Sequence, residues 1–190
     1  MQASHFCVVA LGANLPSLAG TPAETLSRAI LDLTALAPSS SPPPPTTDNA
    51  TTAQISSLYT SDPVDCPPHT PEFVNAIIAL PLLPNLNAHQ FLQQLLTLET
   101  SYGRQREPHS RSRCLDLDLI AYGEASLHTP DLTLPHPEAH RRRFVLAPLA
   151  EILPDYRLPG QSATARQLLA RLPQSPAVRR LKKPATSLTQ

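Results

Sequence analysis

Asp116 and Asp118 stand two residues apart in Leu115-Asp-Leu-Asp-Leu-Ile-Ala-Tyr122. In an extended strand, residues two apart share a face at a spacing of about 6–7 Å. Both carboxylates therefore point the same way, and they repel each other unless a cation sits beside them. Mg2+ takes one or two carboxylates and completes its shell with phosphate oxygens and water, so this pair suits a nucleotide-bound metal better than an all-protein cage. A solvated strand face with two inert aspartates is the alternative. Asp-x-Asp alone does not choose between them.

Arginines crowd the same stretch. Arg104 and Arg106 precede the aspartates, Arg111 and Arg113 lead directly into them, and Arg141, Arg142 and Arg143 follow. Taken singly, Arg104 and Arg106 fit a helix C-terminus complementing the dipole, and the later trio fits a solvated helix face. Together they are what a polyphosphate site needs, with guanidiniums neutralising oxygens that a metal does not reach. Only five glycines are present, and neither a GxGxxG nor a Walker loop occurs, which disfavours kinases of those classes.

Further candidates lie apart in sequence. Asn75 interrupts an apolar run, and a buried amide needs partners, either a heterocycle edge or the backbone. Phe73 and Phe144 could stack a flat ring or simply fill a core. Asn14 follows Gly12 at a strand end, where turn chemistry explains it. His136 and His140 have i, i+4 spacing, but Pro135 and Pro137 flank His136 and no HExxH pattern accompanies it. Zinc is therefore discounted, and His136 is read as a phosphate donor or a helix cap.

The elements that must hold these residues are legible as patterns. The apolar run Phe6-Cys-Val-Val-Ala-Leu-Gly12 predicts a buried first strand. Thr21-Pro-Ala-Glu24 is a capping box for a helix over 22–37 carrying Leu26, Ile30, Leu33 and Leu36. A second strand is expected over 54–59 and a central one over 73–83. Asn87 and Gln90 cap a second helix that stops at Gly103. Near-perfect alternation over 115–122 puts Leu115, Leu117, Leu119 and Ala121 on one face, with Asp116, Asp118, Ile120 and Tyr122 on the other. Helices are expected around 138–152 and 164–172. The order strand, helix, strand, strand, helix, strand predicts an α+β, ferredoxin-like split βαβ fold, an antiparallel sheet layered with helices.

Composition narrows the partners. The 190 residues carry 15 basic and 15 acidic side chains, so no global field draws the chain to nucleic acid or anionic membrane. Three scattered cysteines form no CxxC pair, supporting neither a zinc ribbon nor a disulfide framework. No signal peptide or membrane segment is legible, so a cytoplasmic protein is expected; a monomer is expected as well. Prolines, 23 in all, cluster after residue 37. The stretch 38–52 reads as a surface insertion within one domain spanning 1–173, followed by a mobile basic tail over 174–190.

These pieces combine into a specific pattern: Leu11-Gly-Ala-Asn-Leu15, Ser57-Leu-Tyr59, Phe73-Val-Asn-Ala76, Gly103-Arg-Gln-Arg106, Arg113-Cys-Leu-Asp-Leu-Asp118, Leu134-Pro-His-Pro137 and Arg142-Arg-Phe-Val-Leu146. In that order, from about residue 6 to 172, the chain resembles the 6-hydroxymethyl-7,8-dihydropterin pyrophosphokinases of folate biosynthesis. The resemblance implies that ATP gives its β- and γ-phosphates together to the pterin alcohol, leaving AMP. It implies two Mg2+ ions on Asp116 and Asp118, which act in catalysis with Arg104 and Arg113. Phosphate contacts would come from Arg104, Arg106, Arg113 and Arg142, with His136 at the nucleotide. The pterin would meet Asn75, stack between Phe73 and Phe144, and take contacts from the loop holding Ser61, Pro63 and Val64. The chain departs from the pattern at His109-Ser-Arg-Ser112, where a tryptophan is common. It departs again at Ser61-Asp62-Pro63, where a Thr-Pro-Pro-like turn is usual. Two readings compete with this one. Another Asp-x-Asp metal–nucleotide transferase would not make AMP from these substrates, and a ferredoxin-like RNA-binding module would show salt-sensitive RNA affinity.

Overall fold

The computed structural model describes residues 5–36, 52–64, 66–82, 86–103 and 113–181. The expected 38–52 insertion falls almost wholly outside the described residues, as does the His109–Ser112 departure.

A mixed order of strands builds one antiparallel sheet. Strand β1 (Phe6–Ala13) lies between β5 (Asp116–Tyr122) and β4 (Phe73–Pro81). Beyond β4 come β2 (Gln54–Ile55) and β3 (Tyr59–Ser61), and β8 (Val178–Arg180) closes the edge beside β3. Strands β6 (Leu127–His128) and β7 (Thr133–Leu134) form a separate hairpin. Every pairing is antiparallel. The β5-β1-β4-β3 order, with crossovers through α1 (Pro22–Leu36) and α2 (Ala88–Ser101), is the expected split βαβ arrangement.

Both faces of the sheet are covered, which is why β1 and β4 read as near-continuous apolar runs. On one face, Cys7, Val9, Leu11, Ile78 and Leu80 pack against Leu26 and Leu33 of α1 and Phe91 and Leu95 of α2. On the other, Val8, Ile77 and Ala79 meet Val145, Leu146 and Leu149 of α3 (Arg143–Ile152) and Leu168 of α4 (Ala165–Arg171). The helix starts are held as their sequences dictate. The Thr21 amide donates to the Glu24 carboxylate at 2.8 Å, and α2 and α4 carry reciprocal capping boxes from Asn87 with Gln90 and Thr164 with Gln167. Gly103, at φ +86°, turns the chain after α2.

Four local expectations are corrected. The strand expected over 54–59 is two short strands, because Ser56 turns its side chain into the ladder. Its Oγ accepts the Ile77 amide at 2.9 Å while its hydroxyl donates to the Ser57 carbonyl at 2.8 Å. The alternation over 115–122 breaks at a bulge, where Val8 faces Ala121 but Val9 faces Leu119. Ala121 thereby joins Ile120 in the cluster beneath α3. Tyr122 crosses to the α2 side, its ring 6.0 Å from Phe91. The helix expected over 138–152 is a turn of 3-10 helix at Ala139–Arg141 and then α3, parted by Arg142 in an extended conformation. Finally, the stretch from Gln174 is not simply a solvated tail. Its Val178–Arg180 segment pairs with β3.

Candidate active site

On the sheet face beneath α3, three strands present one row of functional groups. Register places Ala10 opposite Asp118 and Gly12 opposite both Asp116 and Asn75. The central strand thus supplies small residues where the outer two supply polar ones. A floor of Ala10 and Gly12 leaves room above it. A cavity of about 600 Å³ opens there, lined by Phe73, Asn75, Ser61, Val64, Arg142 and Phe144 among others. A second cavity, of about 370 Å³, lies around the β5 edge against α2 and the β6–β7 hairpin, where His136, Pro137, Thr133, Leu92 and Glu99 line it. Asp116, Asp118 and Arg113 belong to both linings. The carboxylate pair is a shared wall.

The wall is held from several sides. Arg113 donates to the Asp116 carboxylate. Its own backbone is fixed by Asn14, whose side-chain oxygen accepts the Arg113 amide at 2.7 Å while the Asn14 amide donates to the Arg113 carbonyl at 3.0 Å. The Arg142 guanidinium stands 3.8 Å from Asp118 and 5.8 Å from the centre of the Phe144 ring, close enough for a cation–π contact. The break before α3 is what frees Arg142 to reach in this direction.

Burial and the neighbouring Asp116 push the Asp118 carboxyl above its ordinary value of 3.8, against the opposing pull of His136, Arg142 and Arg113. Burial likewise pushes the His136 ring below its ordinary 6.5, with the Asp118 charge opposing. Burial thus favours the neutral ring. Its Nδ1 accepts the Glu138 amide at 3.2 Å, which leaves the proton on Nε2 as a donor. The β5 bulge contributes here too, because the Ile120 carbonyl accepts the His136 amide at 2.9 Å.

Asn75 is 5% exposed and donates to the Ser61 Oγ at 2.9 Å and weakly to the Phe73 carbonyl at 3.4 Å. Phe73 and Phe144 are half-buried and both line the larger cavity. Of the loop residues singled out from sequence, Ser61 and Val64 line it and Pro63 does not. Arg104 and Arg106 lie outside the described residues. Among the described residues, no group of three or more His, Cys, Asp or Glu side chains gathers as a metal site. His140 lines neither cavity.

The roles of three residues escaped the sequence reading. Asn14 is a clamp on Arg113 beyond its turn position. Glu99, 1% exposed, accepts the Leu117 amide at 2.7 Å beside the aspartates. Its signal was present, since Phe91, Leu95 and Glu99 recur at helical spacing and the acid interrupts a buried stripe. Asp62, noted from sequence only as part of the Ser61-Asp62-Pro63 departure, lines the larger cavity.

A sequence model of the 7,8-dihydro-6-hydroxymethylpterin-pyrophosphokinase family matches residues 8–154. The chain is 36% identical over 168 residues to a 2-amino-4-hydroxy-6-hydroxymethyldihydropteridine pyrophosphokinase of Synechocystis, covering 88% of this chain and 76% of the relative. It is 34% identical to the protein of that name from Haemophilus influenzae, covering 80% and 84%. Among solved structures, it is similar to a Plasmodium falciparum HPPK-DHPS crystallised with pteroate, at a TM-score of 0.58 and 12% identity. That match covers 87% of this chain and 42% of the longer one, and it speaks to the fold alone.

Proposed function

Because the chain belongs to the 7,8-dihydro-6-hydroxymethylpterin-pyrophosphokinase family, and so transfers a pyrophosphoryl group in folate biosynthesis, we propose that the two cavities divide its substrates across the Asp116–Asp118 wall. The larger takes the pterin and the smaller takes ATP. The single observation that carries this reading is that Asp116, Asp118 and Arg113 line both cavities, so groups bound on either side meet at the same charges.

The donor set fits magnesium. Two carboxylates, with no thiolate or imidazole cage around them among the described residues, match a hard cation that completes its shell with phosphate and water. Asp116 and Asp118 would hold two such ions against the triphosphate. When bound, the cations supply charge neutralisation and Lewis acidity at the phosphates. The chain's own residues do the rest. Phe73 and Phe144 sandwich the flat ring, and Asn75 with Ser61 offers polar groups to its edge. Arg113 and Arg142 neutralise phosphate oxygens, joined by Arg104 and Arg106, and His136 donates from Nε2.

The hydroxymethyl oxygen attacks the β-phosphorus in line, and the bond from that phosphorus to the α-phosphate oxygen breaks. AMP leaves with the electron pair, and the hydroxyl proton passes to Asp118. A monomer is taken as the working unit. ATP as co-substrate supports a cytoplasmic setting.

The test is a product assay with purified protein, Mg2+, ATP and 6-hydroxymethyl-7,8-dihydropterin. AMP and the pterin diphosphate should form together in equal amounts, and EDTA should stop both. ADP as the nucleotide product would overturn this mechanism.

A further inference from the structure

The C-terminal strand reaches the larger cavity through one residue. Asp62 lines that cavity, yet its bonds run away from it. The Asp62 amide donates to the Ala177 carbonyl at 3.3 Å, and the Asp62 carboxylate accepts the Ala177 amide at 3.1 Å. The other carboxylate oxygen lies 3.8 Å from the Arg179 guanidinium, which also stands 3.5 Å from Glu72. One residue earlier, Ser61 pairs with Val178 in the ladder and accepts the Asn75 amide. Residues 61 and 62 are thus fixed on their outer side by 177–179, a segment beyond the stretch that the family model matches.

We infer that Asp62 is a positioning residue for pterin binding, acting through a clasp with Ala177 and Arg179 that sets the Ser61–Val64 rim of the cavity. The inference rests on the reading that the larger cavity takes the pterin. A rim held by two hydrogen bonds and an ion pair needs no ordering when the ligand arrives. Freed, it must be ordered at that moment, and the cost appears in affinity for the ligand it borders. The nucleotide cavity shares none of these residues. The effect should therefore fall on one substrate.

Three variants test this by calorimetric titration of 6-hydroxymethyl-7,8-dihydropterin and, separately, of an ATP analogue with Mg2+. Asp62→Ala should weaken pterin binding about five- to tenfold, the scale of one or two lost hydrogen bonds. Arg179→Gln, remote from the cavity, should weaken it about twofold, as expected of an exposed ion pair, and this loss should shrink in high salt. In the double variant the two losses should be less than additive, with ATP-analogue affinity unchanged throughout. Asn75→Ala serves as the control on the cavity assignment. If Asn75→Ala weakens pterin binding but Arg179→Gln does not, or if the two losses add in full, the clasp is overturned while the cavity reading stands. If Asn75→Ala also leaves pterin affinity intact, the cavity assignment itself fails.

Discussion

Asp118 carries a conflict between folding and chemistry. Its acid is held above the ordinary value by burial and by Asp116, so the ionised form is disfavoured in the folded protein. The sign of the pH effect follows. The penalty is absent below about 3.8, where the carboxyl is protonated in either state, and complete above the raised folded value. At neutral pH the protein bears it. Asp118→Asn should therefore raise the melting temperature of the metal-free protein at pH 7, with the gain vanishing as the pH falls toward 4. The same substitution should cut pyrophosphoryl transfer by about 100-fold or more, as expected when a charged group is removed from a transition-state site. Thermal unfolding across pH and a single-turnover assay check the two halves, and a lower melting temperature at pH 7 would refute the account from burial and like charge. At this scale the sequence was informative wherever a polar residue broke an apolar pattern. Asp116, Asp118 and Asn75 stood out for that reason. The role of Asp62 did not, because its partner is 115 residues away.

Among the elements, starts and stops were legible because capping and glycine chemistry is local. Thr21 with Glu24, Asn87 with Gln90, and Gly103 act within a few residues of themselves. The bulge was not legible. Leu-Asp-Leu-Asp-Leu-Ile-Ala-Tyr alternates almost perfectly on paper, and only pairing with β1 decides which residue is squeezed out. That one-residue shift frees the Ile120 carbonyl for His136 and sends Tyr122 to Phe91. Ser56 presents a similar case, since a strand-compatible serine became a break by bonding the Ile77 amide across 21 positions. Ser56→Ala leaves that buried amide without its acceptor. It should cost about 1–3 kcal/mol of stability, read by urea unfolding with an unchanged denaturant slope. A smaller loss would mean that the backbone closes the gap and that the split between β2 and β3 has another cause.

Across the molecule, the sheet order followed from the alternation of strands and helices, because short connections leave few ways to bury both crossover helices. The last strand did not follow. Val178-Arg-Arg180 has the look of a solvated basic end, and only long-range partners make it a strand. Those partners centre on Glu151, in the last turn of α3. Its carboxylate accepts the Ser57 amide and hydroxyl, each at 2.9 Å, and the Tyr59 hydroxyl at 3.1 Å, and it pairs with Arg180 at 2.9 Å. One acid joins a helix, an inner strand and the edge strand. Glu151→Ala should destabilise the fold by about 1.5–3 kcal/mol, the range for hydrogen bonds to a charged group, as measured by chemical unfolding. A change below 0.5 kcal/mol, of the order of an isolated surface pair, would show that the junction is ornamental.

A wall common to two chambers cannot answer to one occupant alone. Charges on Asp116, Asp118 and Arg113 that reorganise around a nucleotide present an altered surface to whatever lies across them. Thermodynamic reciprocity then fixes the return effect: by whatever factor the nucleotide changes the affinity for the pterin, the pterin changes the affinity for the nucleotide.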